Sequence, residues 1–514
     1  MSVTSTSTLS DNGGLPQLTG GRLLLALALA LTAMQALGLL PLWLSRPPEW
    51  LVLPMAEVIN WIFAFVRDDL GLIYVTRTVA DGVQWLLDIT ANLLYGKRRW
   101  PNIGPIPWTM VAASMAALGY WLGGWRLAAL SGGTFLWIAV MGQWKWAMET
   151  LSVIAVAAPL AIALGLAMGI WAWSNRRVEA ILDPILNLAQ SMPHFAYMIP
   201  VVVFIGVGPK AGAIVTVIFS VPPMIRMTML GLRKVPDQVV EAGRMCGSNS
   251  WQLLMRVRIP TARSDLLVGV NQVIMQSLAM VVLASFIGMP GLGQKLLQLL
   301  QALKIGRSIE IGITIVLIAI TLDRLSKAWA TRQPVHIEPG TPWHERYRTG
   351  IVWAALMMIF WGLAQILPLA EEVGRRDALS LADPLDAGAD WVITLLDPVT
   401  DWLRAFLITW VLVPMRDALL WLPYTAVVAL AAAAGWALGG RRSALICAGF
   451  LLFMALAGWW DRSMITVYMV GFAVSQAVIF GLPLGIWAAG NEARAVRALL
   501  ICDTLQTFPS FIYL

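Results

Sequence analysis

The chain has 514 residues, of which 59% are hydrophobic and only 13% are charged, and its formal net charge is +7. An ordinary soluble domain carries about 25% charged residues, so this composition excludes a soluble globular enzyme, a disordered protein and a basic nucleic-acid binder. The segment Leu23–Leu44 contains no charged residue, and its 22 residues exceed the ~20 that a helix needs to cross a bilayer. The sequence therefore predicts a polytopic membrane protein.

Apolar runs set the predicted spans. Met1–Gly21 is polar, and the run behind it is too long for a cleavable signal peptide. We therefore expect a disordered cytoplasmic tail over 1–21, followed by a retained first span. About 13 runs are long enough to span a membrane. They are 23–44, 107–124, 126–142, 148–173, 186–207, 211–230, 266–289, 309–326, 350–369, 422–438, 443–459, 464–489 and an incomplete run at 499–514.

The second half of the chain repeats the first at a constant offset of 316 residues. The eight runs of the first copy are an even number, so the two copies have the same orientation and the repeat is parallel rather than inverted. The matching pairs include Pro107/Pro423, Thr109/Thr425, Gly123/Gly439, Gly124/Gly440, Trp144/Trp460, Gly165/Gly481, Gly169/Gly485, Asn175/Asn491, Pro193/Pro509, Phe195/Phe511 and Tyr197/Tyr513.

Basic residues predict the orientation of the spans. The loop 226–265 carries seven basic residues against three acidic ones, and the segment 371–420 carries nine acidic residues against four arginines. Cytoplasmic loops are enriched in Lys and Arg, so we expect the loop 226–265, the linker 327–349 and the N-terminus to be cytoplasmic. Lys97-Arg98-Arg99 is instead predicted on the outer side of the membrane, and we interpret this basic tripeptide as docking to the membrane surface.

The basic loop has the pattern of two short helices joined at a glycine. Val235-Pro236-Asp237 is typical of a helix start, and Gly247 is typical of a residue that ends a helix with a positive φ. Ser248-Asn249-Ser250 can cap a second helix over Trp251–Arg258. Pro260 should end that helix, because a residue before proline avoids the α region. A plain amphipathic connector is the alternative interpretation.

The loop resembles the EAA loop of ATP-binding-cassette (ABC) importer permeases. The residues that carry the resemblance are Glu241-Ala242-Gly243, Gly247, Ile259 and Pro260. The loop departs from the family pattern at Gly243, where the family has Ala, and conservatively at Val257 (Ile) and Ile259 (Leu). We expect the glycine to loosen one helical turn. The stretch 269–293 is similar to the glycine betaine/proline betaine branch of the family.

The resemblance implies an all-α polytopic fold, the type I ABC importer transmembrane domain, here as a tandem parallel repeat. It implies a bacterial inner-membrane permease that imports quaternary ammonium osmoprotectants, such as glycine betaine, proline betaine or choline, by alternating access. The implied partners are cytoplasmic nucleotide-binding ATPase subunits, a periplasmic substrate-binding protein and the lipid bilayer. In that family the EAA loop docks onto the ATPase, and this role carries over to Glu241, Ala242, Gly247, Ile259 and Pro260.

No catalytic, cofactor or metal site is predicted in this chain. A Gly-x4-Gly-Lys-Ser/Thr phosphate loop does not occur in the sequence, so ATP with magnesium is expected on the separate ATPase. The three cysteines and three histidines are dispersed along the sequence.

The resemblance covers 147–326 and, as a partial copy, 463–514. It divides the chain into six predicted regions. They are the tail 1–21, accessory spans with an outer-face segment at 22–146, a first permease core at 147–326 with the EAA loop at 235–260, a cytoplasmic linker at 327–349, a second accessory region at 350–462 and the start of a second core at 463–514.

Polar residues in the span after the loop are the candidates for a solute pathway. Asn271, Gln272 and Gln276 interrupt an apolar run, and the two glutamines share a helix face. Polar groups at membrane depth either bond neighbouring helices or line a wet path, and both interpretations stay open. Asp323 and Arg324 are predicted to form an ion pair at a helix end.

The aromatic residues suggest a second hypothesis for how the solute binds. Rings could bind a quaternary ammonium group by cation–π attraction. However, the tryptophans at run ends, including Trp171 and Trp487, are typical of membrane interfaces. The family resemblance also assigns an aromatic cage to the separate binding protein.

Three other functions remain possible at this stage. An ion-coupled secondary transporter would need ionisable residues in the middle of its spans, and the sequence has almost none. A membrane enzyme or redox subunit would need clustered His, Cys or acidic residues. An ABC importer for another small amine or an amino acid fits the same motifs.

The second copy stops at Leu514, opposite Met198 of the first. We therefore expect the second core to be truncated, with another EAA-like loop near position 557 of a longer chain.

Overall fold

In the computed structural model, the described residues are 14–96, 105–332, 344, 348–371 and 378–507. Nearly all of them lie in helices, and no strand occurs among them. The predicted all-helical fold class is confirmed. Lys97-Arg98-Arg99 and most of the linker 327–349 lie outside the described residues, and so do Pro509, Phe511 and Tyr513.

The longer helices are, in chain order, α1 Gly14–Ala36, α2 Met55–Ala64, α3 Leu72–Tyr95, α4 Trp108–Val140, α5 Trp144–Ser174, α6 Arg176–Ser191, α7 Met198–Ile205, α8 Pro209–Arg233, α9 Asp237–Met245, α10 Arg263–Leu283, α11 Leu292–Gln301, α12 Ile305–Thr331, α13 Arg348–Ile366, α14 Ala382–Phe406, α15 Val413–Trp421, α16 Tyr424–Leu456, α17 Trp460–Ala489 and α18 Glu492–Thr507. Short helical turns lie at Leu42–Ser45, Glu49–Leu51, Phe65–Asp69, His194–Tyr197, Ser250–Gln252, Leu253–Arg258, Ile259–Thr261, Ala284–Ile287, Pro368–Glu371 and Leu407–Leu412.

By length and composition, eight helical segments of the described chain could cross a membrane, and one bent pair adds a ninth. The eight include α16, although that helix is broken at Gly439 and Gly440. The prediction of about 13 spans is too high by this measure. One of the eight, Glu49–Asp69, is missing from the predicted runs because its charged residues interrupt the apolar pattern.

The first predicted span also has different bounds. Helix α1 begins at Gly14, inside the tail expected to be disordered, and it ends at Ala36 rather than Leu44. Gly38, with a φ of 69°, stops the helix because this left-handed backbone cannot continue it.

Two predicted pairs of runs form two hairpins. In the first hairpin, α4 turns back on itself and Ser131 Oγ donates a 2.8 Å hydrogen bond to the carbonyl oxygen of Met115 in the opposite arm. Each arm of about 15 residues is about 22 Å long, shorter than the ~30 Å apolar thickness of a bilayer. Counting apolar runs alone could not distinguish such arms from full spans. Runs 107–124 and 126–142 are the arms of α4, and runs 422–438 and 443–459 are the arms of α16.

The two hairpins turn with the same backbone geometry. Gly123 and Gly124 have φ/ψ of −142°/16° and 75°/−164°, and Gly439 and Gly440 have −147°/15° and 70°/−162°. Only glycine readily adopts the positive φ at the second position of each pair. The tandem repeat is therefore confirmed in the backbone as well as in the sequence.

Most of the core lies in one compact unit, Leu70–Val392 with Ala498–Leu514, which we call the core unit. Helices α5, α8, α10 and α12 form its centre. Gly165 and Gly169 let α5 approach α8 closely, because an added Cβ would lie 2.5 Å from side-chain atoms of Met224 and Thr228.

The second unit consists of Met1–Asp69 and Ile393–Arg497. Helix α1 packs along α16 there, and an added Cβ on Gly20 would overlap the ring of Trp436. Its small core contains Tyr424, Trp460 and Met464. An added Cβ on Gly481 or Gly485, the counterparts of Gly165 and Gly169, would meet no atom of another described helix within 4 Å.

Candidate coupling loop and solute pathway

The loop between α8 and α10 begins with a short helix whose ends follow the predicted signals. Pro236 has an extended backbone (φ −61°, ψ 137°) and precedes α9, with Asp237 in the first turn. Gly247, at φ 78°, ends this arm of the loop. We call residues 235–262 the coupling loop.

The second arm of the coupling loop starts at a capping box. The Asn249 side chain accepts a 2.8 Å hydrogen bond from the Gln252 amide, and the Gln252 side chain accepts a 3.0 Å bond from the Asn249 amide. The predicted stop at Pro260 is wrong, because Ile259 is helical (φ −61°, ψ −47°) and the turn falls at Ala262. The preceding turn is π-helical, which widens the backbone and makes room for the proline ring.

Gly243 lies where the two arms of the coupling loop pack closely against each other. An added Cβ at this position would lie 2.8 Å from Leu253 Cδ1 and 3.1 Å from Val257 Cγ2. Val240 and Leu253 are buried between the arms and the helix bundle. The expectation that Gly243 loosens a turn is therefore corrected: the glycine allows close packing of one arm on the other.

The outer surface of the coupling loop is exposed. Glu241, Ala242, Gly247 and Pro260 are exposed, while Ile259 is partly buried. Met245, at the tip of the first arm, keeps 88% of its surface. A motif predicted to dock onto a partner is thus accessible in this structure.

Three contacts tie the coupling loop, or the two residues that precede it, to three different helices. Arg233 pairs with Glu179 of α6 at 2.5 Å, and Lys234 pairs with Asp265 of α10 at 2.9 Å. The Arg258 guanidinium lies 4.5 Å from the ring centroid of Trp173 in α5. Sequence reasoning missed these contacts, because nothing in the local pattern pairs residues so far apart.

Asn271, one of the pathway candidates, bridges two helices in this structure. Its side-chain amide donates a 3.4 Å hydrogen bond to Asp323 Oδ1 on α12. Asp323 is buried and pairs with Lys327 at 2.9 Å, so the predicted pairing with Arg324 is corrected. Lys327 lies one turn further along α12, on the same helix face as Asp323.

Gln272 and Gln276 lie in a different environment. Gln272 is exposed on α10, and Gln276 is partly buried with an Oε1 atom that has no hydrogen-bond partner. Beside them, Ser277 and Ser220 share a buried 3.1 Å hydrogen bond between α10 and α8. Two polar side chains therefore remain available on one face of α10.

The described residues contain no group of three or more His, Cys, Asp or Glu side chains that could hold a metal ion. Of the three cysteines, Cys246 and Cys502 are exposed and Cys447 is partly exposed.

The bundle of apolar spans and the exposed two-arm loop of the described residues define an all-α polytopic membrane permease of the type I ABC importer class. The chain belongs to the family described as binding-protein-dependent transport system inner membrane components, whose sequence profile matches residues 161–333. The family is one of transport proteins rather than enzymes, with ATP hydrolysis in a separate subunit, and it resides in the inner membrane.

Curated relatives extend the match over the whole chain. The trimethylamine N-oxide transport system permease protein TmoV of Ruegeria pomeroyi is 51% identical, over 100% of this chain and 78% of the relative. TmoV of Pelagibacter ubique is 40% identical, over 93% of this chain and 70% of the relative. The glycine betaine transport system permease protein OpuAB of Bacillus subtilis is 39% identical, over 44% of this chain and 80% of the relative.

Proposed function

We propose that this chain is the permease of an ABC importer for methylated-amine osmolytes, with trimethylamine N-oxide as the first candidate solute and glycine betaine as the second. The observation that supports this choice is the extent of the similarity. The trimethylamine N-oxide permease of R. pomeroyi aligns with all of this chain at 51% identity, whereas the glycine betaine permease of B. subtilis aligns with 44% of it.

The proposed mechanism is alternating access driven through the coupling loop. ATP binding and hydrolysis in a cytoplasmic ATPase would displace the exposed surface around Glu241 and Met245. Arg258 links the loop to α5, and Arg233 and Lys234, directly before the loop, link its start to α6 and α10, so a displacement of the loop would move these helices together. The spans would then open alternately to the two sides of the membrane.

The proposed partners follow from the same scheme. Cytoplasmic ATPase subunits would hold ATP with magnesium, and a periplasmic binding protein would deliver the solute. The excess of basic residues in the loop 226–265 supports a cytoplasmic coupling loop and a cytoplasmic N-terminus.

The test is reconstitution of the full-length protein in proteoliposomes with its cognate ATPase and binding protein. We expect trimethylamine N-oxide to stimulate ATP hydrolysis and to accumulate inside without any ion gradient. Uptake that runs on a proton or sodium gradient without ATP would overturn the proposal.

A variant pair tests the coupling role of the loop. Glu241→Ala should abolish solute-stimulated ATP hydrolysis while the protein still inserts in the membrane. The matched control is Asp81→Ala, which removes an exposed acid that pairs with Lys210 at the opposite end of α8. Equal activity in both variants would count against docking through Glu241.

A further inference from the structure

One helical segment of the core unit, the segment that follows α5, is broken in the middle. Helix α6 and the segment His194–Ile205 meet at an angle of 117°. Between them, Met192 (φ −70°, ψ 138°) and Pro193 (φ −57°, ψ 141°) are extended. Pro193 has no amide hydrogen to donate, so the helical ladder cannot continue through it.

The break lies level with the middle of helix α8. The His194 ring is tilted by 49° against the Phe219 ring, with centroids 4.6 Å apart, and Tyr197 contacts the same ring edge-on at 5.8 Å. Phe219 follows the first residue of α8 by ten positions and precedes the last by fourteen, so it lies about 15 Å from one end and about 21 Å from the other. The residues at the break are therefore level with the centre of the span α8.

A second aromatic pair continues from the break towards the end of the bundle that lies away from the coupling loop. Phe195 contacts Phe286 edge-on at 5.2 Å. Phe286 lies in the turn Ala284–Ile287, and Ile287 accepts a 3.1 Å hydrogen bond from Gly208 at the start of α8. The rings thus form a ladder from mid-depth to the far end of the bundle.

These rings are not core packing alone. Phe195 and Phe286 keep 50% and 45% of their surface exposed, whereas Tyr197 is buried and its hydroxyl donates to the carbonyl oxygen of Ala189. Irregular backbone at membrane depth occurs only where it is covered by protein or lines a water-filled cavity. Broken helices at mid-depth are also where transporters place their solute sites.

The second copy of the repeat carries the same aromatic positions. The 316-residue offset places Pro193, Phe195 and Tyr197 on Pro509, Phe511 and Tyr513. The neighbouring residues differ, since His194 falls on Ser510 and Ala196 on Ile512. The aromatic spacing after the proline is thus maintained in both copies while the positions between change.

We propose that Phe195, Phe219 and Phe286, with His194, form an aromatic ladder that receives the trimethylated nitrogen of the solute during its passage. Ring faces attract methylated ammonium groups without a formal charge on the protein. Such contacts are weak and repeated, so the solute can leave as readily as it enters. The identity of the solute in this proposal rests on the proposed function above.

Transport by Phe→Leu variants tests the ladder in the reconstituted complex. With trimethylamine N-oxide and glycine betaine as probes, we expect Phe195→Leu and Phe219→Leu each to lower the uptake rate by about tenfold, the loss expected for one cation–π contact. Phe195→Tyr and Phe219→Tyr should retain uptake within about twofold, since the ring is kept. Solute affinity of the separate binding protein should not change. The matched control is Phe480→Leu, at an exposed phenylalanine of α17.

A labelling experiment tests access to the ladder without relying on activity. In a background with Cys246, Cys447 and Cys502 replaced by Ser, the Phe195→Cys thiol should react with 2-(trimethylammonium)ethyl methanethiosulfonate, forming a mixed disulfide and releasing methanesulfinate. Trimethylamine N-oxide should slow this reaction and should leave the reaction rate of the control thiol Phe480→Cys unchanged.

Each outcome decides one proposal. Wild-type uptake in Phe195→Leu and Phe219→Leu, or an unreactive Phe195→Cys, would overturn the aromatic ladder and leave the proposed function intact. A wild-type complex that imports no methylated amine would instead overturn the proposed function. Loss of uptake that the tyrosine variants do not restore would show a packing role rather than solute binding.

Discussion

The hydroxyl of Thr109 donates a 2.8 Å hydrogen bond to the carbonyl oxygen of Ala370, 261 positions further along the chain. Thr425, its counterpart in the second copy, donates a 2.8 Å bond to Leu44, 381 positions earlier. The α4 hairpin is thus bonded to the segment that precedes α16, and the α16 hairpin is bonded to the segment that precedes α4.

Backbone bonds at the opposite end of each hairpin repeat this relationship. The Leu379 amide donates to the carbonyl oxygen of Val140 at 2.9 Å, and the Leu53 amide donates to that of Leu456 at 2.7 Å. The hairpin residues differ by 316 positions and the bonding residues by 326. The segments that precede the two hairpins are therefore exchanged between the copies. Each compact unit contains the hairpin of one copy and the preceding segment of the other copy.

Removal of the threonine hydroxyls should weaken this exchange. Thr109→Val leaves the carbonyl oxygen of Ala370 without its buried donor, so we expect a loss of about 1–3 kcal/mol in the free energy of unfolding. Thr425→Val should act in the same direction with a smaller effect, because its bond is only partly buried. Thermal unfolding in nanodiscs measures both changes.

Thr331→Val is the matched control, since its exposed hydroxyl donates to the carbonyl oxygens of Lys327 and Ala328 within its own helix. An equal shift in Thr109→Val and Thr331→Val would contradict a structural role for the exchanged segment.

The repeat and the first arm of the coupling loop could be predicted from the sequence, because Gly, Pro and a fixed offset encode them locally. The exchange could not, since it depends on contacts such as Thr109 to Ala370 across 261 residues. Apolar runs also cannot show whether a run such as 107–124 spans the bilayer or turns back at Gly123-Gly124.

The candidate functional site could also be predicted from the sequence only in part. Glu241, Ala242 and Gly247 could be placed in an exposed loop from spacing alone. The broken helix at Met192-Pro193 and the ring pairs around it could not, because the sequence shows a continuous apolar run at 186–207. The spacing of Pro193, Phe195 and Tyr197, repeated at Pro509, Phe511 and Tyr513, is the signal in the sequence that points to them.

Gly243 sets the distance between the arms of the coupling loop. Gly243→Ala should be tolerated, with nearly normal uptake, because the added Cβ meets the movable end of the Leu253 side chain. Gly243→Val should separate the arms and uncouple ATP hydrolysis from uptake, because it also collides with Val257. The ratio of solute imported to ATP hydrolysed measures coupling.

A compensating substitution serves as the control. Gly243→Val combined with Val257→Ala should recover part of the coupling, because the smaller side chain at position 257 leaves room for the valine. An uncoupled double variant with normal folding would show that the spacing of the arms is not the cause.

The pair of Asp323 and Lys327 should stabilise the junction of α10 and α12. Lys327→Met leaves the buried Asp323 carboxylate without its cation, and we expect a loss of about 1–3 kcal/mol, because Lys327 itself is about half exposed. Arg324→Met, which removes the exposed neighbour of Asp323, should change the free energy of unfolding by less than about 0.5 kcal/mol. If the two variants unfold at the same temperature, the ion pair does not stabilise the junction.

Gln272 and Gln276 of α10 are predicted to line the solute pathway. Replacing both by Leu should lower solute uptake, because a polar face of the passage becomes apolar. The free energy of unfolding should stay constant or rise, because Gln276→Leu removes a buried acceptor that has no partner. Radiolabelled uptake and thermal unfolding of the same preparations measure the two effects.

The opposite changes in uptake and stability are what separate a pathway role from helix bonding. If these glutamines bonded neighbouring helices, the double variant would lose stability, and uptake would fall only as folded protein is lost. Gln298→Leu, at an exposed glutamine of α11, controls for the added apolar surface. Unchanged uptake in the double variant at normal expression would remove Gln272 and Gln276 from the passage.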